Sequence, residues 1–170
     1  MHRTGSSAIT RFFVDIGFDA GRRLMPPDND NPKGYWEDME LYELNSEILS
    51  FLFLSWDLTD DLVLRKTKIF HNILLEKFKK KAVSYIKQRL EVSPRMVLKD
   101  PRLMILLPFW NEVLEQFDQP KKYFLVTRNP ADVAKSIKAR NGIDEDEGMK
   151  FWNYYYSAFM LDVESDFYVV

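Results

Sequence analysis

Ile9, Phe12, Phe13 and Ile16 recur at i, i+3, i+4 and i+7, which predicts a helix from Ser7 to Ile16 with Gly17 as its stop. Leu41, Leu44, Ile48, Phe51 and Leu52 share a second helical face, on a helix running to about Ser55. A third stretch, about Lys68 to Leu90, turns Ile73, Leu74, Phe78, Ala82, Tyr85 and Ile86 inward. Its Lys79, Lys80 and Lys81 fall at or near the outer face and read as solvated surface, and its His71 is assigned no role. Pro108 opens a helix to about Phe117, and Asn129-Pro130 reads as N-cap and first residue of a helix to about Arg140. The last helix, about Glu145 to Val163, carries Phe151, Trp152, Tyr154, Tyr155, Tyr156 and Phe159, a cluster that reads as core.

The remaining apolar runs predict strands. Arg95–Leu98 is a short one ending at Lys99. Lys122–Thr127 is apolar on both faces, as in a sheet covered on both sides, and ends at Arg128. Phe167–Val170 is a third. Strands alternating with helices argue for an α/β domain with a mainly parallel sheet. Such sheets bind ligands at the carboxyl ends of their strands, where Lys99, Arg128 and the loop around Gly5 would lie. Residues 25–34 are too rich in Pro, Asp, Asn and Gly for a regular element, and a loop of that length is often functional.

Composition narrows the chemistry. A length of 170 residues suits a single domain, 1–170. With a net charge of −2, nothing global points to nucleic acid, so any anion site must be local. The chain has no cysteine and only His2 and His71, which removes thiolate chemistry and leaves no metal site in view. No apolar run approaches the ~18 residues of a membrane span, and the expected compartment is the cytoplasm.

Two stretches suit anions. In Arg3-Thr4-Gly5-Ser6-Ser7, a glycine precedes a helix whose free N–H groups would point at a bound phosphate or sulfate. A turn that only caps the helix is the alternative. In the second, Arg128 sits at a strand end, and Ser136 and Arg140 share the following helix face. That set suits a phosphate monoester; a basic helix surface is the alternative.

Taken together, Arg3-Thr4-Gly5-Ser6-Ser7, Lys99-Asp100-Pro101-Arg102 and Arg128-Asn129-Pro130-x5-Ser136-x3-Arg140 resemble the sulfotransferase family. These enzymes use 3′-phosphoadenosine 5′-phosphosulfate (PAPS). His2 and Lys33-Gly34-Tyr35-Trp36-Glu37-Asp38 add to the likeness, which is nearer the tyrosylprotein and carbohydrate branches. The resemblance implies a P-loop-type three-layer α/β/α domain with a mainly parallel central sheet. Against that pattern the chain looks like a fragment, lacking the strand before the loop and a C-terminal part. The resemblance places the 5′-phosphosulfate on Arg3, Thr4, Gly5, Ser6 and Ser7. It places the 3′-phosphate on Arg128 and Ser136, with Arg140 as a further nucleotide contact. It makes Arg3, Lys99 and Glu37 catalytic, Glu37 as general base with Asp38 adjacent. It implies sulfuryl transfer without metal to an acceptor hydroxyl, small-molecule or saccharide.

Two rivals remain. A P-loop kinase using ATP wants Gly-x4-Gly-Lys-Ser/Thr, whereas Gly5 is followed by Ser6-Ser7. A catalytically inactive nucleotide-binding domain is the other.

Overall fold

The computed structural model describes residues 1–57, 75–163 and 166–170. Ile73, Leu74 and His71, with the start of the third predicted helix, lie outside the described residues. Within the described residues the chain forms six α-helices and a two-stranded parallel sheet.

Helix α1 spans Ser6–Asp15 and starts from Gly5, whose φ of 93° turns the chain into the helix without a side-chain cap. The apolar stripe that predicts α1 does not become a buried face. Phe12 is 57 % exposed and Ile16 49 %, and Thr10 is the residue that α1 buries. Cover is partial: Phe13 packs edge-on against Phe124 of the later strand at 4.9 Å between ring centroids and against Phe18 at 5.4 Å, while Phe12 and Ile16 stay open.

Helix α2 spans Met39–Phe51, capped by the Asp38 carboxylate on the Glu40 N–H. It ends short of Ser55 because Phe53 takes a positive φ of 55°. Its Leu41, Leu44 and Ile48 are buried as the spacing requires. Helix α3 spans Glu76–Val92 and buries Phe78, Ala82, Tyr85 and Ile86. Lys79 departs from the solvated reading. Its side chain is mostly covered and pairs with Glu112 at 2.5 Å, so the lysine run is split.

Residues 95–98 are not a regular strand. Only Met96 bridges, in parallel with Asp19, so the extended run finds one residue of ladder instead of a neighbouring strand. A 3-10 turn, Pro101–Met104, leads into α4, Leu107–Leu114. Strand β1, Tyr123–Leu125, pairs in parallel with β2, Phe167–Val169. The parallel sense agrees with the sequence reading, but coverage on both faces does not, since Phe124 remains substantially exposed. Helix α5, Pro130–Asn141, is capped by Asn129 on the Ala131 N–H. Helix α6, Glu145–Asp162, carries the aromatic cluster, with Phe151, Tyr154, Tyr155, Tyr156 and Phe159 all in the core.

That core lies among α2, α3, α4 and α6 and encloses two polar networks. Trp110 donates to Asn45, and Asn45 donates to Asp100, at 2.9 and 3.0 Å. Arg102 closes on the same Asp100 carboxylate through Nε and Nη2. In the second network Arg89 donates to both the carboxylate and carbonyl of Asp19, to Tyr85 and to Asp38. The Tyr85 hydroxyl donates in turn to Asp38. Satisfied networks of this kind hold one geometry, because each buried group would be costly without its partners. They hold Asp100 and Asp38, the immediate neighbours of Lys99 and Glu37.

Candidate functional site

A cavity of about 790 Å³ opens beside the start of α1. That volume suits a ligand of nucleotide size. Its walls bring together Arg3, Gly5, Ser6 and Ser7 from the first loop, Glu37 before α2, Lys99, Arg128 before α5, and Arg140 at the end of α5. These parts are far apart in sequence and share one space.

The contacts within it are specific. Arg3 Nε donates to Ser136 Oγ at 2.8 Å, joining the first predicted anion stretch to the second. Ser136 meets the site through that bond and is not itself in the cavity wall. Lys99 Nζ donates to the Tyr35 carbonyl at 2.9 Å, to Ser7 Oγ at 3.5 Å and to Glu37 Oε1. A Cβ built on Gly5 would meet nothing within 4 Å, so the space above the loop is open. Arg128 makes no hydrogen bond or ion pair among the described residues and faces the cavity with its charge uncompensated.

Thr4 departs from the expected arrangement. It is buried, its hydroxyl donates to the Met1 carbonyl at 3.3 Å, and its side chain lines a separate apolar cleft. Alone among the expected loop ligands, it turns away from the cavity.

Burial raises the Glu37 carboxyl above the ordinary carboxylate range, and the Lys99 ammonium opposes that rise. A carboxylate so placed is a better proton acceptor than an exposed one. Burial, and then surrounding cations that include Lys99, Arg102 and Arg140, hold the His2 imidazole well below its usual pKa. Its Nε2 is buried without a hydrogen-bond partner, and its ring lies edge-on to Trp56 at 5.0 Å.

Sequence reasoning assigned no individual role to Asp30, Asn31 or Tyr35, which line the cavity, or to Asp28, which braces them from behind. Asp30 accepts an ion pair from Arg140 Nε at 3.0 Å, and its carbonyl takes a long bond from Arg3 at 3.5 Å. Asn31 donates to Ser7 Oγ at 3.3 Å. The Tyr35 hydroxyl donates to the Asp28 carboxylate at 2.7 Å, and burial, with that bond second, lifts the phenol to about 12. The density of Asp and Asn between Pro27 and Gly34 is the signal that could have found them.

Among the described residues no group of His, Cys, Asp and Glu is arranged to hold a metal ion, and no helix is long and apolar enough to cross a membrane. The site brings Arg3, Lys99, Arg128 and Arg140 together with a helix N-terminus and the raised carboxyl of Glu37. No protein-family model matches the chain, and neither a curated protein nor a solved structure does so.

Proposed function

We propose that this chain is a sulfotransferase that moves the sulfuryl group of PAPS to an acceptor hydroxyl, with a saccharide as the first acceptor class to try. The observation that carries the reading is the Arg3–Ser136 contact at 2.8 Å. The resemblance in the sequence assigns these residues to the 5′- and 3′-phosphate groups carried by one ribose, which requires the two residues to be neighbours. Parallel pairing of β1 and β2 is compatible with a three-layer P-loop architecture, which belongs to the same proposal.

The residues suit the ligand. Open space over Gly5 and the uncompensated Arg128 leave room and charge for its 5′- and 3′-phosphate groups. PAPS supplies a sulfuryl group on a good phosphate leaving group. Glu37 takes the proton of the acceptor hydroxyl as that oxygen bonds to sulfur. Arg3 and Lys99 neutralise the charge left on the 5′-phosphate oxygen as its bond to sulfur breaks. The first N–H groups of α1 add to that stabilisation. Lys99 connects the two halves of the chemistry, because it holds both Ser7 and Glu37. As its ammonium turns to the anion, Glu37 is freed to act as base.

Thermal shift tests the cofactor without an acceptor. Ligand that binds only the folded state raises apparent stability by RT ln(1 + [L]/Kd). The product nucleotide 3′-phosphoadenosine 5′-phosphate should raise Tm, and Arg128→Ala should remove most of that rise. Its 3′-dephospho analogue should bind weakly to both proteins. A shift with ATP and Mg²⁺ alone would turn the assignment to a kinase.

A further inference from the structure

Asp30 and Asn31 contact groups that the nucleotide would claim. Asp30 holds Arg140 through its carboxylate and Arg3 through its carbonyl. Asn31 Nδ2 donates to Ser7 Oγ, and also to the Gly34 carbonyl, which folds the loop back over the first anion stretch. Arg140 Nη2 donates to the Tyr35 hydroxyl at 3.3 Å, and its guanidinium lies 5.6 Å from the ring centroid. Asp28 braces the loop from inside, accepting from the Asp30 and Asn31 N–H groups and from Tyr35.

We infer that Asp30 is a built-in counter-anion of this site: its carboxylate holds Arg140 in the ligand-free chain and gives way to an anionic group of the nucleotide, releasing the 28–34 loop from the cavity mouth. The inference rests on the nucleotide reading above. The Asp30 side chain is 47 % exposed and that of Arg140 29 %, so the pair is solvated and exchangeable. A ligand carrying several negative charges competes well with one half-exposed carboxylate for the same guanidinium. Asp30 thereby lowers affinity for every anion that uses Arg140. It also couples occupation of the site to movement of the segment that leads into Tyr35, Trp36 and Glu37.

Isothermal titration of the full chain with 3′-phosphoadenosine 5′-phosphate tests this. Asp30→Asn keeps the shape of the side chain and removes its charge, and should tighten binding by about three- to tenfold. Asp15→Asn is the control. Asp15 also lines the cavity but pairs with Arg11, at 3.7 Å, and its loss should change affinity by less than about twofold. In an Arg140→Ala background the Asp30→Asn gain should vanish, because the contact it relieves is gone. Unchanged or weaker binding by Asp30→Asn, or an equal gain from Asp15→Asn, overturns the inference while leaving the nucleotide reading intact. If neither wild type nor Asp30→Asn takes up the bisphosphate, the nucleotide reading fails and the inference falls with it.

Discussion

Asp38 and Asp30 each place a carboxylate against an arginine from a distant helix, and the two pairs do opposite work. Asp38 and Arg89 are both 1 % exposed at the side chain, and Tyr85 and Asp19 complete their hydrogen bonds. Asp30 and Arg140 sit at the cavity mouth in contact with water. Burial makes the first pair costly to break, because a partner left alone is a charge without solvent. Solvation makes the second cheap to exchange. One side of Glu37 is thus frame and the other side is exchangeable, which suits the base role proposed for it.

The widest gap between the two sides should appear in stability. Arg89→Ala leaves Asp19 and Asp38 without their cation and should cost about 3–5 kcal/mol in urea unfolding. Asp30→Asn should cost less than about 1 kcal/mol. Comparable losses from the two substitutions would erase the distinction between frame and exchangeable contact.

Two glycines carry the same comparison to the backbone. Gly21 has φ +130°, and a Cβ there would lie 2.4 Å from the Asp38 carboxyl carbon. Gly21→Ala should therefore destabilise the chain by roughly 2–3 kcal/mol, through overlap and strain together. Gly5 has φ +93° with open space above it. Gly5→Ala should cost about 1 kcal/mol of strain, yet its methyl would enter the space assigned to the 5′-phosphate. The expected result is a folded protein whose affinity for 3′-phosphoadenosine 5′-phosphate falls more than about tenfold. Full affinity in a folded Gly5→Ala protein would move the phosphate away from this loop.

How far the sequence anticipated these features follows from what kind of signal each one leaves. Helices α2, α5 and α6 were legible because their apolar spacing and caps agree with the packing that forms. Leu41, Leu44 and Ile48 are buried, and Asn129 caps as expected. Helix α1 was legible as a helix but not in its orientation, because periodicity reports which residues share a face and not whether anything covers it. Arg89 was missed because charge reads as surface, although it stands four residues after Tyr85 on the inward stripe of α3. Arg3, Glu37, Lys99 and Arg128, which share the cavity wall, come from four separate stretches, each with its own local signature. The pairing of Asp30 with Arg140 left none, because 110 residues separate the two and no short-range pattern links them. Thr4 was assigned by its place in the loop, while its hydroxyl found the Met1 carbonyl instead.

The smallest effect expected concerns His2, on the exchangeable side. Its Nε2 is the kind of buried, unpaired atom that the frame around Asp38 does not leave. Burial and neighbouring cations favour the neutral ring in the folded chain, whereas an unfolded histidine titrates near 6.5. Below that value the unfolded state binds the extra proton and the folded state does not, so stability must fall as pH falls. The limiting slope is about 1.4 kcal/mol per pH unit for one such group. Between pH 7.5 and 5.5, His2→Gln should reduce the loss measured by chemical denaturation by about 1 kcal/mol relative to wild type. An unaltered pH dependence would mean that His2 titrates normally and that water reaches it. Its imidazole would then belong to open surface, and the boundary of the exchangeable side would have to be drawn closer to Lys99.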